Sequence, residues 1–380
     1  MSKFITGLFL LCLLFSCANH DGPYTQKNLS PEENTFRRSF LTTASDLHQD
    51  LYFSHQAFSS DLKLLIKEPS QEQIDATIKS LELLRTNYNK TIPFRNTHGP
   101  LDYPYLKTQH NLSQLIFAES AEFNGDENIL TLLNESTPIS EELLYQKHLE
   151  SSNKDIYIGI PAITYSLSKN DIILSHKNEQ WKTFLSRNNK ILEVHIKYLL
   201  DEWSPYIAAN FHHLLKTRKQ EQFLGWTYTS FLINHQDVLE KIKSNTGQLS
   251  QRDLDERLNA LMNLWEGSYI LNDGRQYLRH GLKTLIQSPE IDNYFKTLEK
   301  SRNENNQELS LKVLTSLQNG IKREIAKSNY DRQVQSLPFI IPNPKLHALS
   351  KSRKHPKDTP FGESTKPASN NTLSNSTDFL

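Results

Sequence analysis

Apolar residues recur at helical spacing over most of the chain, with polar residues filling the positions between them. From about Glu32 to Leu65 the series Phe36, Phe40, Leu41, Leu47, Leu51, Phe58, Leu62 and Leu65 follows the three-and-four step of an amphipathic helix. Pro69-Ser70 interrupts it, and Ser70 followed three residues on by Gln73 resembles a capping box. Ile74, Ile78, Leu81 and Leu84 mark a second helix that ends near Pro93. Residues 93–107, with Gly99-Pro100 and Pro104, predict a loop. Helical spacing returns over 109–121, 126–134 and 139–149, then from about Asp171 to Leu215 with a break at Ser204-Pro205. Further helices are predicted at 218–243, 251–272, 274–287 and 290–327, with Ser250-Gln251-Arg252-Asp253 as an N-terminal boundary. No run alternates in the manner of a strand, and glycine is scarce at 12 residues. The pattern predicts an all-α protein whose helices pack as bundles. Within it Trp203, Tyr206, Phe211, Phe223, Trp226, Tyr228 and Phe231 are expected to fill the core, with a carbohydrate or lipid groove as the alternative.

The two ends depart from this pattern. Lys3 precedes an apolar run from Phe4 to Phe15, too short to span a bilayer and closed by Leu14-Phe15-Ser16-Cys17. That ending resembles the lipobox of bacterial lipoproteins, although Phe15 is uncommon there. The resemblance implies that residues 1–16 are a signal peptide and that Cys17 becomes the lipidated first residue. An ordinary secretory signal with a chance cysteine is the alternative. Ala18 follows, where retention in the inner membrane of enteric bacteria calls for aspartate. The resemblance therefore implies the outer membrane, with the body facing the periplasm. Residues 17–33 read as a polar tether, 34–335 as the helical body and 345–380 as a disordered tail with too little apolar content to fold. The tail's basic cluster, Lys351, Arg353, Lys354 and Lys357, is either a solvated run or a contact for acidic lipid.

Composition narrows the chemistry. Lys+Arg and Asp+Glu balance at 43 each, so no global field favours nucleic acid. Of two cysteines, Cys12 lies in the signal, which leaves the mature chain no internal disulfide and no thiolate besides Cys17. No second apolar stretch approaches 18 residues, so the acyl group would be the membrane attachment.

Two segments carry a family resemblance. The first, Leu84-Arg85-Thr86-Asn87-Tyr88-Asn89-Lys90-Thr91-Ile92-Pro93-Phe94-Arg95 with Gly99-Pro100-Leu101-Asp102 after it, resembles the imelysin-family pattern A-R-x-x-Y-x-x-T-E-x-F-R and its G-P-I-D-like turn. Arg85, Tyr88, Thr91, Phe94, Arg95 and Asp102 match; Ile92 replaces the glutamate. The second, Gly159-Ile160-Pro161-Ala162-Ile163-Thr164-Tyr165-Ser166-Leu167, resembles the family's G-x-H-x-x-E stretch, with Pro161 for the histidine and Thr164 for the glutamate. A weaker likeness runs from Leu261 to Leu285. The resemblance spans most of residues 36–330. It implies two bundle-like halves, divided near 165–215, with a cleft between them near the motifs. Members are linked to iron-regulated uptake in the bacterial periplasm, and the family was named for a peptidase activity.

The replacements bear on that chemistry. His and Glu one helical turn apart can share a metal ion; proline offers no ligand and a threonine hydroxyl is a poor one. No metal and no cofactor are therefore expected. Pro161 suits the first turn of a helix. Arg85 and Tyr88 are three apart and share a helix face. One reading makes Arg85, Tyr88, Thr91, Arg95, Asp102, Gly159, Pro161 and Thr164 a polar binding cleft. The other makes Arg85 a strut paired with Asp102 or a helix end. His176 and Glu179 form a chance H-x-x-E, His212-His213 are adjacent and cannot face one metal, and His110, His195 and His235 lack partners at metal spacing. Glycine-rich phosphate loops and G-x-S-x-G or H-E-x-x-H motifs are missing from the sequence. Three functions remain. The first is a non-catalytic binding lipoprotein tied to iron uptake, taking an envelope protein or a small anionic ligand at Arg85 and Arg95. The second is a metal-dependent peptidase, and the third a structural or assembly lipoprotein.

Overall fold

The computed structural model describes residues 30–95, 112–118, 123, 125–135, 137–150, 156–169, 173–174, 179–244, 250–304 and 307–327. Cys17 and the tether up to residue 29, Asp102, His110, His176 and the tail lie outside these residues; the tether's expected last residues, Ser30 to Glu33, instead cap and open the first helix. The chain opens with α1 (Pro31–Lys67), a 37-residue helix that spans about 55 Å. Its start is a complete capping box: Glu33 N–H donates to Ser30 Oγ and Ser30 N–H to Glu33 Oε2, both at 3.1 Å. Helix α2 (Gln71–Lys90) follows, where Ser70 Oγ accepts from Gln73 N–H at 3.2 Å. A 3₁₀ turn (Ile92–Phe94), α3 (Leu112–Ile116), a π turn (Asp126–Leu130), α4 (Thr131–Asn134), α5 (Glu141–Glu150), α6 (Gly159–Leu167) and α7 (Glu179–Trp203) complete the first half. The second half holds α8 (Phe211–Thr217), α9 (Gln220–Ser244), α10 (Gln251–Glu266), a hairpin of β1 (Ser268–Ile270) and β2 (Gln276–Leu278), a 3₁₀ turn (Leu282–Thr284), α11 (Pro289–Asn303) and α12 (Gln307–Lys327). Among the described residues the fold is all-helical apart from that hairpin, with its helices in two interacting bundles.

Two apolar cores underlie the bundles, and α1 belongs to both. Its Phe36, Phe40, Leu41 and Leu47 enter the second core, while Leu51, Phe58, Leu62 and Leu65 enter the first. Helix α7 supplies Trp181 through Leu199 to the first core and Trp203 to the second. A 25-residue helix and a 37-residue helix therefore run past the junction and hold the halves in register.

Three predicted elements differ. The region 251–287 is not two helices. Gly267 ends α10 at φ +78°, and β1 and β2 then pair antiparallel, Tyr269 opposite Tyr277. Asp273-Gly274, with Gly274 at φ +81°, makes the tight reversal that a hairpin needs. Arg279 N–H donates to Gly267 O at 2.6 Å, and a Cβ at Gly267 would stand 2.0 Å from Arg279 O, so only glycine lets the returning strand cross here. The 290–327 region is two helices, α11 ending at Asn303 and α12 beginning at Gln307, on either side of an asparagine-rich segment. Tyr206 is not a core residue: it is 94% exposed in the turn after α7, while its aromatic companions are buried. Asn210 builds that turn, donating to Asp201 O and Ser204 O and accepting from His213 N–H at the start of α8.

Candidate functional site: the motif junction and its crevice

The first motif is the last turn of α2 and the 3₁₀ turn beyond it. Thr91 stops the helix, its hydroxyl donating to Tyr88 O at 2.7 Å, and the proline after Ile92 disfavours continuation. Ile92 is buried and apolar where the family pattern carries a carboxylate. Phe94 reaches the second core, 4.9 Å from the Phe40 ring and 5.7 Å from Trp203. Tyr88 is fully buried, stacks on Phe117 at 5.6 Å with planes 5° apart, and donates to Ser113 O at 3.3 Å. Arg95 Nη2 donates to Ser113 Oγ at 3.3 Å, while Ser230 and Asn234 of α9 bond the Arg95 carbonyl.

The second motif meets the same short helix from the other side. Gly159 adopts φ +86°, donates to Asn188 Oδ1 at 3.1 Å, and leaves no room for a side chain, since a Cβ would lie 2.6 Å from Ile116 O. Pro161 is buried in the first turn of α6. The Thr164 hydroxyl donates to Ile160 O of its own helix at 2.8 Å. Tyr88, Arg95 and Gly159 thus converge on Leu112–Phe117, with Arg85 reaching the Phe117 ring, its Cζ 5.1 Å from the centroid. Pro161 and Thr164 present no ligand pair.

Arg85 has a partner that its neighbours in sequence do not reveal. Its guanidinium forks onto Asp253 at the start of α10, Nε to Oδ1 at 2.5 Å and Nη2 to Oδ2. Asp253 is also the reciprocal member of a capping box, accepting from Ser250 N–H at 2.8 Å and from the Ser250 hydroxyl at 2.7 Å, and it takes a third side-chain donor, Asn89 Nδ2, at 2.9 Å. Burial alone would raise its carboxyl. The Arg85 fork, with Ser250 and Asn89, outweighs burial and holds it below the usual carboxylate range. Asn89 Oδ1 accepts from Arg257 Nε at 2.9 Å, Thr86 donates to Glu256 at 2.6 Å, and Arg252 pairs with Glu82 and Glu256. Three arginines face three carboxylates in this seam between α2 and α10. It is neutral and cross-bonded, the arrangement of a clamp between bundles.

One turn further along α2 the seam opens. A crevice of about 280 Å³ is lined by Leu47 of α1, Thr86 and Lys90 of α2, Glu256, Asn259, Ala260 and Asn263 of α10, and Ser268, Tyr269 and Ile270 of the hairpin. Lys90 Nζ meets the Ile270 carbonyl only at 3.5 Å. Burial lowers its pKa, partly offset by Asp50 and Glu256. Asp50 accepts from the hairpin turn, Asn272 N–H to Oδ2 at 2.9 Å; burial raises the Asp50 pKa, partly offset by that bond and by Lys90. A larger depression of about 500 Å³ at the α1–α2 turn is open to solvent and remote from both motifs.

Three buried histidines are engaged in packing. His195 bonds Tyr145 Oη at 2.7 Å, His235 bonds Gln318 Oε1 at 2.6 Å, and His48 bonds Ala44 O and stacks on Trp203. Burial lowers their pKa values to about 3, 4 and 4 respectively. Among the described residues no three His, Cys, Asp or Glu side chains converge to hold a metal, and no helix is long and apolar enough to cross a membrane. Reasoning from sequence missed Asp253, Asn89, Glu256, Phe117 and Lys90. The i, i+4 step from Arg85 to Asn89 was the one local sign that this helix face is polar.

Comparison with known proteins shows fold similarity. Neither a protein family nor a curated protein matches the sequence. A solved structure described as a "putative iron-regulated protein A precursor" from Parabacteroides distasonis ATCC 8503 superposes with a TM-score of 0.52 at 10% identity, covering 80% of this chain and 97% of that one.

Proposed function

We propose that the chain is a lipid-anchored envelope protein of imelysin type that binds rather than cleaves, with its ligand seat in the Lys90 crevice. The observation that carries this reading is the Arg85–Asp253 fork. It commits the motif arginine to joining the bundles, while Lys90, one turn on, is partly buried in a crevice where it donates to the Ile270 carbonyl at 3.5 Å and feels Asp50 and Glu256. At about 30 Å³ per water, the crevice has room for roughly nine waters, the bulk of an amino acid or a small dicarboxylate. A carboxylate accepting from Lys90, with Asn263 and Ser268 at its flank, fits that lining because the Glu256 carboxylate there is already taken up by Thr86, Asn89 and Arg252. The anionic ligand expected from sequence at Arg85 and Arg95 is thereby moved to Lys90. The link to iron uptake and the outer-membrane address are proposed from the motif resemblance and from Ala18 after Cys17. The fold neighbour's description as iron-regulated is consistent with the first of these.

The peptidase reading lacks support from the residues at the motif positions, which offer neither a ligand pair nor an activated nucleophile. The assembly reading gains from the clamp, and would leave the crevice without a ligand. A thermal-shift screen of small carboxylates separates these readings. A compound that raises the Tm of the parent and not of Lys90→Met supports binding; equal shifts in both overturn it. Zymography with and without zinc is expected to give no cleavage, and chelator-sensitive cleavage would restore the peptidase.

A further inference from the structure

We infer that the end of the body where α1 begins is a membrane-facing surface that rests on anionic phospholipid. The inference depends on the lipid anchor at Cys17 and adds an orientation to it. Two stretches free of acidic residues pack together at this end. One runs from Asn34 to Ser45 in α1, the other from Trp203 to Gln220 through α8. Arg37 joins them: its Nη1 donates to Lys216 O at 3.2 Å and to Arg218 O at 2.8 Å, closing the C-terminus of α8 onto α1. Around this buried staple stand Arg38, Lys216 and Lys219, all exposed, with the half-exposed Arg218 over the Trp226 ring. Glu32 and Glu33 lie at the margin, and Glu33 is folded back onto Ser30 in the capping box. Burial lowers the His212 pKa, with Lys216 and His213 adding to it, while Glu33 is the acidic group acting on Arg37.

Position makes the patch meaningful. Arg37 and Arg38 follow Ser30 by seven and eight residues, so they lie within about 12 Å of the point where the chain leaves the body toward Cys17. Thirteen residue steps separate Cys17 from Ser30. That length reaches at most about 45 Å, which bounds how far the α1 start can stand from the anchor. Basic side chains within a Debye length of an anionic surface are attracted additively, which favours this end over any other. Leu47 in the crevice lies 17 residues beyond Ser30, about 25 Å along α1, so the ligand seat stays clear of the lipid.

The test uses the chain from residue 17 onward with Cys17→Ser, so that no lipid contributes. Sedimentation with phosphatidylglycerol-containing vesicles is compared with sedimentation using phosphatidylcholine alone. Binding to the anionic vesicles is expected to weaken with salt and to fall at least about tenfold in Arg38→Glu/Lys216→Glu/Lys219→Glu. It should persist when Lys351, Arg353, Lys354 and Lys357 are changed to glutamine. The three exposed substitutions are checked for folding by circular dichroism, and the glutamine triple, expected to lose binding to a smaller extent, serves in their place if they unfold. No binding by the parent, or loss only in the tail variant, overturns the inference. Palmitate incorporation at Cys17 in cells tests the anchor separately.

Discussion

Arg85→Met is the sharpest perturbation of the inter-bundle clamp. The Asp253 side chain is 2% exposed and the Arg85 side chain 21%. Removing one partner of a buried ion pair costs about 3–5 kcal/mol, because a desolvated charge is left behind. Two features reduce that figure here. Asp253 keeps Ser250 and Asn89 as donors, and the one-fifth exposure of Arg85 marks a path for water to reach the carboxylate. A loss of about 2–3 kcal/mol is expected for Arg85→Met and a similar loss for Asp253→Asn, with a coupling of about 1.5–2 kcal/mol in the double-mutant cycle. Urea unfolding followed by tryptophan fluorescence reads the change as a shift of midpoint. The helices α2 and α10 belong to different cores, so the transition should also broaden as the bundles uncouple. The pH dependence has a fixed sign. The Asp253 pKa is lowered in the folded state, so the pair's contribution is complete above the unfolded carboxylate pKa, about 3.9, and is lost as pH falls through the lower folded value. Coupling below about 0.5 kcal/mol would refute the clamp.

Two other outcomes follow from the packing. Gly159→Ala places a Cβ 2.6 Å from Ile116 O at φ +86°, so a loss above about 2 kcal/mol is expected by thermal unfolding, and an unchanged Tm would show that α3 yields instead. His48, His195 and His235 are buried with pKa values lowered to about 4, 3 and 4, so the unfolded chain binds protons that the folded chain refuses. Stability should therefore decline as pH drops from about 6.5 toward 4, and His235→Gln should flatten that slope by up to one proton, read from urea midpoints across the range.

The helices were legible where one face is apolar along its whole length. Phe36 through Leu65 read correctly as a single helix, although the change of core between Leu47 and Leu51 has no local mark. The hairpin was missed because Ser268-Tyr269-Ile270 continues the apolar pattern of α10, and only Gly267 and Asp273-Gly274 announce the reversal. At the junction, Arg85 and Tyr88 were placed on one helix face from their spacing, and Pro161 in the first turn of a helix from its residue type. Asp253 stood in view only as a helix boundary, because a partner 168 residues away is selected by tertiary packing and leaves no periodic trace. Tyr206 shows the converse: an aromatic residue among core aromatics that a turn built by Asn210 turns outward.

Native mass spectrometry of the protein purified from its native cells tests the account's central claim most directly. The account predicts a small noncovalent adduct on the parent, retained in Arg95→Gln and lost in Lys90→Met, which should fold normally because it removes a partly desolvated charge from the crevice wall. A parent with no adduct, or an adduct that survives in Lys90→Met and disappears in Arg95→Gln, would contradict it.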